Sequence, residues 1–594
     1  MSAISPADQA DAASTDRSGR LGRLGATLSF AGAQVIVLLL LFGPIAGQQW
    51  WQGFRAYFAN DQLSYAAIAV NVSQGNLAAV EPFTLTGTSY YPSAWYYLVG
   101  LASWASKVPV WVTWQVLGAL VVMGAVAVVG WAALRVSSRA WAPLLPGLAL
   151  LTGTLALRTS GDWLTVLGHH AVLWGPFGTL FTLNAEAIGV SIAAAAISLV
   201  VLASASRHRW LVVLGAALIG ALANVQTYSF LASAFLAALI VAVASVLAYR
   251  AYWLALASAA LLIAVVVAGP AIAAATGPLP LFGLLIAALI PAAWPLAAAH
   301  MRLALPAVVA LAILAAPQVL RTMAGIAGKD PFLLYRQEST LDLGVPPGPA
   351  LVAALPVLLI GVACAVVVWR RRQPVLAAVL IALPVASIVM STNDRWGFNQ
   401  EPYRFWLQYE ILGALLLTPV LAWSIANAAG LARPRRAAAA VAAIVAVVAW
   451  AASAMDVTGW WRFASDQGIV SATDARADAI NAILDGREGL VMSSQCLDPR
   501  VLKLVHGGPV AFYNAGLAWP ASEHDFKIFQ DVGRRAGEDY NALNAAHVAW
   551  VITDSACPTE WNFGPGQLLL QVSQQPYEAG GQQQELTLWM VQHL

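Results

Sequence analysis

The chain has 594 residues, 60% of them hydrophobic and only 10% charged, with a mean hydropathy of +0.70 and a formal net charge of +2. An ordinary soluble domain is about a quarter charged, so this composition excludes a soluble enzyme and points to a polytopic α-helical membrane protein. Charge so close to balance carries no nucleic-acid signal, and the informative feature is where the basic residues fall.

Residues 1–25 are polar and rich in Ala, Ser and Asp, and no small-residue cleavage pattern follows them. They read as a disordered cytoplasmic tail. Apolar runs of about 17 residues or more predict thirteen spans, roughly at 27–48, 109–134, 140–157, 185–205, 210–226, 228–248, 252–274, 279–298, 303–320, 349–369, 374–391, 405–428 and 437–455. Arg17/Arg20/Arg23, Arg135/Arg139, Arg207/Arg209, Arg250, Arg302, Arg370–Arg372 and Arg433/Arg435/Arg436 fall at alternate boundaries. The positive-inside bias then puts the N-terminus in the cytoplasm. A membrane domain at 26–455 would therefore carry external loops at 49–108, 158–184, 321–348 and 392–404, where most of the remaining polar residues lie. Chemistry is expected on that external face.

After residue 456 the composition becomes that of a soluble α/β domain, 456–594, extracytoplasmic on the same count. Ser471 to Asp474 offer N-caps for a helix through about Leu484. Strands are predicted at Leu490–Ser493, Val510–Tyr513, Val548–Thr553, Leu568–Val572 and Leu586–Val591, with a helix over Glu523–Arg535. Of three cysteines, Cys364 lies in an apolar run, while Cys496 and Cys557 each follow one of these strands. If the strands at Leu490 and Val548 are parallel neighbours, both thiols emerge at one sheet edge, and a Cys496–Cys557 disulfide is expected outside the cell.

The stretch Asn60 to Tyr97 is the chemically densest. Asp61 stands about ten residues past the first span, followed by a segment with Leu63, Tyr65, Ile68 and Val72 on roughly one side, a Gly/Thr/Pro loop, and the turn Ser89-Tyr-Tyr91-Pro-Ser-Ala-Trp95-Tyr-Tyr97. Read alone, Asp61 is either the cap of the helix that follows or a functional carboxylate at the membrane surface.

An acid just after the first span, an amphipathic segment, a YP-x-x-W-Y-Y turn, many spans and an external α/β tail together resemble the GT-C superfamily of polyprenyl-phosphate-sugar-dependent glycosyltransferases. Asp61-Gln62 followed by YP-x-x-W is also similar to the arabinofuranosyltransferase that primes mycobacterial galactan. The resemblance implies a multi-pass bacterial plasma-membrane enzyme. It would invert a pentose or hexose, arabinofuranose included, on transfer from a polyprenyl-phosphate donor to a cell-envelope glycan or lipid acceptor at the external face. Membrane lipid would be its other partner. Many members carry paired acids in this loop; here Asn60-Asp61 leaves Asp61 as the single candidate base and gives a divalent metal no paired support, so no cofactor is expected.

The chemistry explains the parts. An acceptor hydroxyl needs a base within hydrogen-bond reach as it attacks the anomeric carbon, and the departing phosphate needs positive charge. Arg suits phosphate because its fork binds two oxygens. Arg404, in Asn399-Gln-Glu401-Pro-Tyr403-Arg404-Phe just before a span, is the first candidate; the plain alternative is a snorkelling anchor. Lys329 and Arg336 are second-rank phosphate ligands in a loop that could close over the donor. Tyr91, Trp95, His169, His170, Glu186, Glu401 and Tyr403 are assigned to the substrate pocket. The adjacent His169 and His170 do not suit one metal ion, and no third ligand stands at zinc-like spacing. Gly325 to Asp330 lacks the full spacing of a phosphate loop.

The competing class is a lipid-linked sugar flippase or another multispan transporter. Transporters place ionisable residues at mid-span, whereas these spans are rich in Ala, Leu and Val with few internal charges. A glycan-binding module on a membrane anchor would not need thirteen spans.

Overall fold

The computed structural model describes residues 6–55, 61–155, 176–206, 208–338, 351–391, 403–428, 433–467, 469–493, 497–531, 540–557 and 569–592. Its helices in chain order are α1 (Pro6–Phe42), α2 (Asp61–Ser73), α3 (Ala94–Ser106), α4 (Val110–Ser137), α5 (Ala185–Ala205), α6 (Leu211–Ala221), α7 (Thr227–Tyr249), α8 (Tyr252–Thr276), α9 (Pro278–Ala287) and α10 (Ile290–Ala299). They continue as α11 (Met301–Ala327), α12 (Pro331–Glu338), α13 (Leu355–Arg371), α14 (Pro374–Ser391), α15 (Tyr403–Asn427), α16 (Arg433–Ala454), α17 (Asp456–Gln467), α18 (Ala475–Leu484), α19 (Pro499–His506) and α20 (Glu523–Asp531). The strands are β1 (Gly53–Arg55), β2 (Ile469–Ser471), β3 (Leu490–Ser493), β4 (Val548–Asp554), β5 (Leu569–Ala579) and β6 (Gln582–Val591).

Among the described residues nine helices are long and apolar enough to cross a membrane, and the bent pair α9–α10, turned by 57°, makes a tenth when counted as one span. Three of the thirteen expected runs are shorter. The run at 140–157 holds only the turns Ala142–Leu144 and Leu145–Ala149 within its described part, where Pro143 and Pro146 each open a new helix start rather than continue one. The run at 210–226 is the 11-residue α6 closed by a 3₁₀ turn, and that at 349–369 gives the 17-residue α13. The first helix starts at Pro6, inside the stretch expected as a tail.

The chain folds into two compact units. The first comprises residues 1–44, 118–320 and 334–463. Its centre is α5 and α15, whose spans are each 83% buried against 11% for α8. α5 starts where Asn184 accepts hydrogen bonds from Glu186 N and Ala187 N, and α7 where Gln226 accepts from Tyr228 N. Small residues then let the spans close up: a Cβ on Gly189 would lie 2.5 Å from Ser229 Oγ on α7, and one on Gly215 2.7 Å from the Ala196 carbonyl on α5.

The second unit comprises residues 45–117, 321–333 and 464–594. The first long loop therefore folds with the C-terminal sheet, although composition alone divides the chain at 456. β1 pairs antiparallel with β2. The main sheet has the order β3-β4-β6-β5, with β3 and β4 parallel, as the sequence suggested, and the other pairs antiparallel. β5 and β6 form a hairpin across Gly580 and Gly581 at φ 60° and 76°, the primed-turn geometry that glycine permits. Apolar residues fill both faces, Val548 and Val551 on one and Val491, Ile552 and Leu588 on the other. Asp474 is the actual N-cap of α18, accepting from Ala477 N at 2.8 Å. The strand expected at Val510–Tyr513 is replaced by a single bridge between Val491 and Val510. Pro509 has no N–H to donate and Val510 N donates to the Phe83 carbonyl instead, so no ladder can propagate.

Candidate functional site

Two groups of residues singled out by the sequence are organised, one in each unit. In the second unit Asp61 opens α2 and is exposed, in the first turn where a carboxylate interacts favourably with the free amides. One turn on, Tyr65 stacks on Tyr91 and on Tyr96, both with ring centres 5.6 Å apart, and Tyr96 leans on Trp114 at 5.3 Å. The aromatic turn thus forms the wall behind α2, with Trp95 buried inside it.

Arg321, a residue the sequence reading passed over, fixes this turn from α11. Its Nη2 donates to the Ser89 carbonyl and its guanidinium lies 5.7 Å from the Tyr90 ring centre. Tyr97 donates to the Leu77 carbonyl at 3.1 Å; burial pushes its phenol up while the Arg321 charge pulls it down. Asn71, Asn76, Ser89, Ser93 and Tyr97 line a small cleft beneath the turn. A cation at the external end of a span, the same signal that marked Arg404, would have found Arg321. Lys329 sits in the turn after α11, exposed and in the left-handed region at φ 56°.

The loop after α2 turns on Glu81, which is fully buried. Glu81 Oε2 accepts from Phe83 N at 2.9 Å, Thr84 N at 2.7 Å and Thr84 Oγ1 at 2.9 Å. Lys503 on α19 is equally buried and donates from Nζ to the carbonyls of Gly507 at 2.8 Å and Gly508 at 2.9 Å. Burial pushes the Glu81 carboxyl up to about 8, against the pull of the Thr84 and Phe83 donors and Lys503. Burial likewise brings the Lys503 ammonium down to about 7, with Glu81 acting the other way. His506 is lowered by burial and by Lys503.

In the first unit Arg404, at the start of α15, makes an ion pair with Glu186 at 3.3 Å. Its guanidinium also lies 5.5 Å from the ring centre of Tyr228. Gln408, one turn along α15, donates to Glu186 Oε1 at 3.4 Å and accepts from Ser229 Oγ at 3.0 Å. Two sequence-selected residues, Glu186 and Arg404, are therefore partners, and Gln408 and Ser229, which were not selected, complete the network. Arg336 is half-buried on α12. Glu410 is 5% exposed inside the span, and its Oε1 has no hydrogen-bond partner among the described residues.

His169, His170, Glu401, Cys496 and the Tyr403 side chain lie outside the described residues. Cys364 is a buried free thiol, whereas Cys557, also buried, is held in a disulfide; its pairing with Cys496 is carried forward as a proposal.

No protein-family model and no curated protein sequence matches the chain. Among solved structures it is similar to the arabinofuranosyltransferase AftD from Mycobacteria, with a TM-score of 0.53 and 16% identity over 95% of this chain and 40% of that one. It is also similar to ArnT from Cupriavidus metallidurans (TM-score 0.48, 13% identity, 94% and 97% of the two chains). A third is the oligosaccharyltransferase of Archaeoglobus fulgidus (TM-score 0.49, 13% identity, 89% and 69%).

Proposed function

From a multi-pass membrane chain with the fold of the GT-C glycosyltransferases, we propose an inverting glycosyltransferase. It moves a sugar from a polyprenyl-phosphate donor to a cell-envelope glycan or lipid acceptor on the external face. The observation that carries this reading is Asp61 at the exposed head of α2, backed by the stacked Tyr65, Tyr91 and Tyr96. Asp61 takes the proton of the attacking hydroxyl. Arg404, with Arg336 and Lys329, receives the charge that develops on the departing phosphate. Glu186 holds the Arg404 fork in one orientation and is displaced or shared when phosphate arrives; Tyr91, Trp95, His169, His170, Glu401 and Tyr403 line the substrate pocket. Likeness to the mycobacterial arabinofuranosyltransferase supports a pentofuranose donor.

The test is transfer of labelled sugar by the purified protein from a polyprenyl-phosphate donor; a protein that makes no product with pentose or hexose donors is not this enzyme. Orientation is tested separately: Ser522→Cys should be labelled by an impermeant reagent in intact cells, and labelling only after permeabilisation overturns the external placement.

A lipid-linked sugar flippase is the second reading, and Glu410 inside a span is the observation in its favour. Movement of a lipid-linked sugar across vesicles without glycosidic product selects it.

A further inference from the structure

The C-terminal sheet domain grips α2 at both ends. Near Asp61, Asn514 Nδ2 donates to Ser64 Oγ at 3.2 Å. At the far end Asn71 Nδ2 donates to the Pro82 carbonyl at 2.8 Å, which ties α2 to the Glu81 loop. That loop is seated on the segment after α19: Phe83 O accepts from Val510 N at 2.9 Å and the Phe83 ring meets Phe512 edge-on at 4.8 Å. Gln74 occupies the space where a side chain on Gly507 would begin, and Gly507 sits at φ 78°, so this residue must be glycine on both counts.

At the centre of the contact stand Glu81 and Lys503, both fully buried, each hydrogen-bonded to groups on its own side. Glu81 Oε1 has no hydrogen-bond partner among the described residues. The only other ionisable group acting on the pair is His506, through Lys503. A buried ion pair of this kind is commonly replaceable by neutral side chains without loss of stability. What such a pair can do is admit one register, because each charge is tolerable only opposite the other.

We propose that Glu81 and Lys503 are a positioning pair that locks α2 to the C-terminal domain, making that domain part of the machinery that aims Asp61. This rests on Asp61 as the base. The lever explains the sensitivity: α2 is about 18 Å long, so a tilt of ~3° at the Glu81 end moves Asp61 by about 1 Å. A displacement of that size costs on the order of a hundredfold in rate.

The experiment compares wild type with Glu81→Gln/Lys503→Met, which removes both charges at similar volume, by thermal unfolding, by sugar transfer and by amide hydrogen exchange over residues 61–73. The expected result is an unfolding temperature equal to or above wild type, kcat lower by about tenfold or more with the donor KM unchanged, and faster exchange in α2. Wild-type kcat with unaltered exchange overturns the proposal. A lowered unfolding temperature with exchange rising across the whole domain also overturns it, in favour of an ordinary structural role. If wild type itself makes no glycosidic product, the enzyme reading fails, and exchange at 61–73 still decides whether the pair positions α2.

Discussion

The Arg404 cluster and the Asp61 cluster are built from different materials. Around Arg404 the bonds run between side chains on packed spans: Arg404 to Glu186, Glu186 to Gln408, Gln408 to Ser229. In an apolar bundle each polar group has only neighbouring spans to turn to, and the spans hold it. Around Asp61 most bonds run from side chains to loop backbone: Arg321 to Ser89, Tyr97 to Leu77, Asn71 to Pro82. Loop backbone is positioned only by what packs on it, and here that is the C-terminal domain. The phosphate-facing candidate is thus set by helix packing and the base by a domain contact, so perturbations of the C-terminal sheet should reach Asp61 and spare Arg404.

The largest expected effect is at the base itself. Asp61→Asn keeps shape and hydrogen bonding but removes the proton acceptor, so turnover should fall by ~10²-fold or more with donor binding retained. Glycosidic product formed by purified Asp61→Asn at the wild-type rate would sink the assignment.

The Cys496–Cys557 bond sharpens the contrast. It should contribute ~3 kcal/mol to the sheet domain by limiting its unfolded state. Reduction should therefore speed amide exchange in α2 while leaving donor binding unchanged. Alkylation of both thiols in denatured, unreduced protein would exclude the bond.

Arg404→Ala should raise KM and lower kcat together, because the charge meets donor and transition state alike. Loss of charge-assisted hydrogen bonds of ~1.5–3 kcal/mol corresponds to about tenfold to a hundredfold in kcat/KM. Arg404→Lys should recover part of it, since a point charge lacks the fork. A lysine variant with full activity would make Arg404 a membrane anchor instead.

The smallest effect is a pH dependence confined to the second unit. Glu81 is raised from 4.5 to about 8, so its contribution is complete below 4.5 and is lost as pH rises through 8. Lys503 is lowered from 10.5 to about 7; between those values the unfolded chain holds the proton and the fold does not, so stability rises with pH. The two slopes leave the unit least stable between about 7 and 8. Glu81→Gln/Lys503→Met should flatten this minimum when unfolding is followed from roughly pH 5 to 10; an unchanged profile would mean that other groups produce it.

Some of this was legible in the residues themselves. Membrane class follows from summed hydropathy, α18 from the Asp474 cap, and the β3–β4 pairing was anticipated from apolar runs bounded by turns. Asp61 and the Tyr91/Trp95 turn stand out because chain neighbours carry the signal. Summed hydropathy also misled: it counted 140–157 as a span although Pro143 and Pro146 break its start, because a window average does not see a missing amide donor.

Composition, period and caps are local properties, and they determined that the protein is a helical membrane chain with a mixed sheet after it. Which polar groups meet is not local. Glu186 and Arg404 are 218 positions apart, Ser64 and Asn514 450 apart, and no spacing in one sequence records such a pairing. Tertiary structure alone decided that the first loop folds with the C-terminal sheet and that Glu81 faces Lys503. Burying a charge is tolerable only when packing brings its partner, and packing is a property of the whole chain.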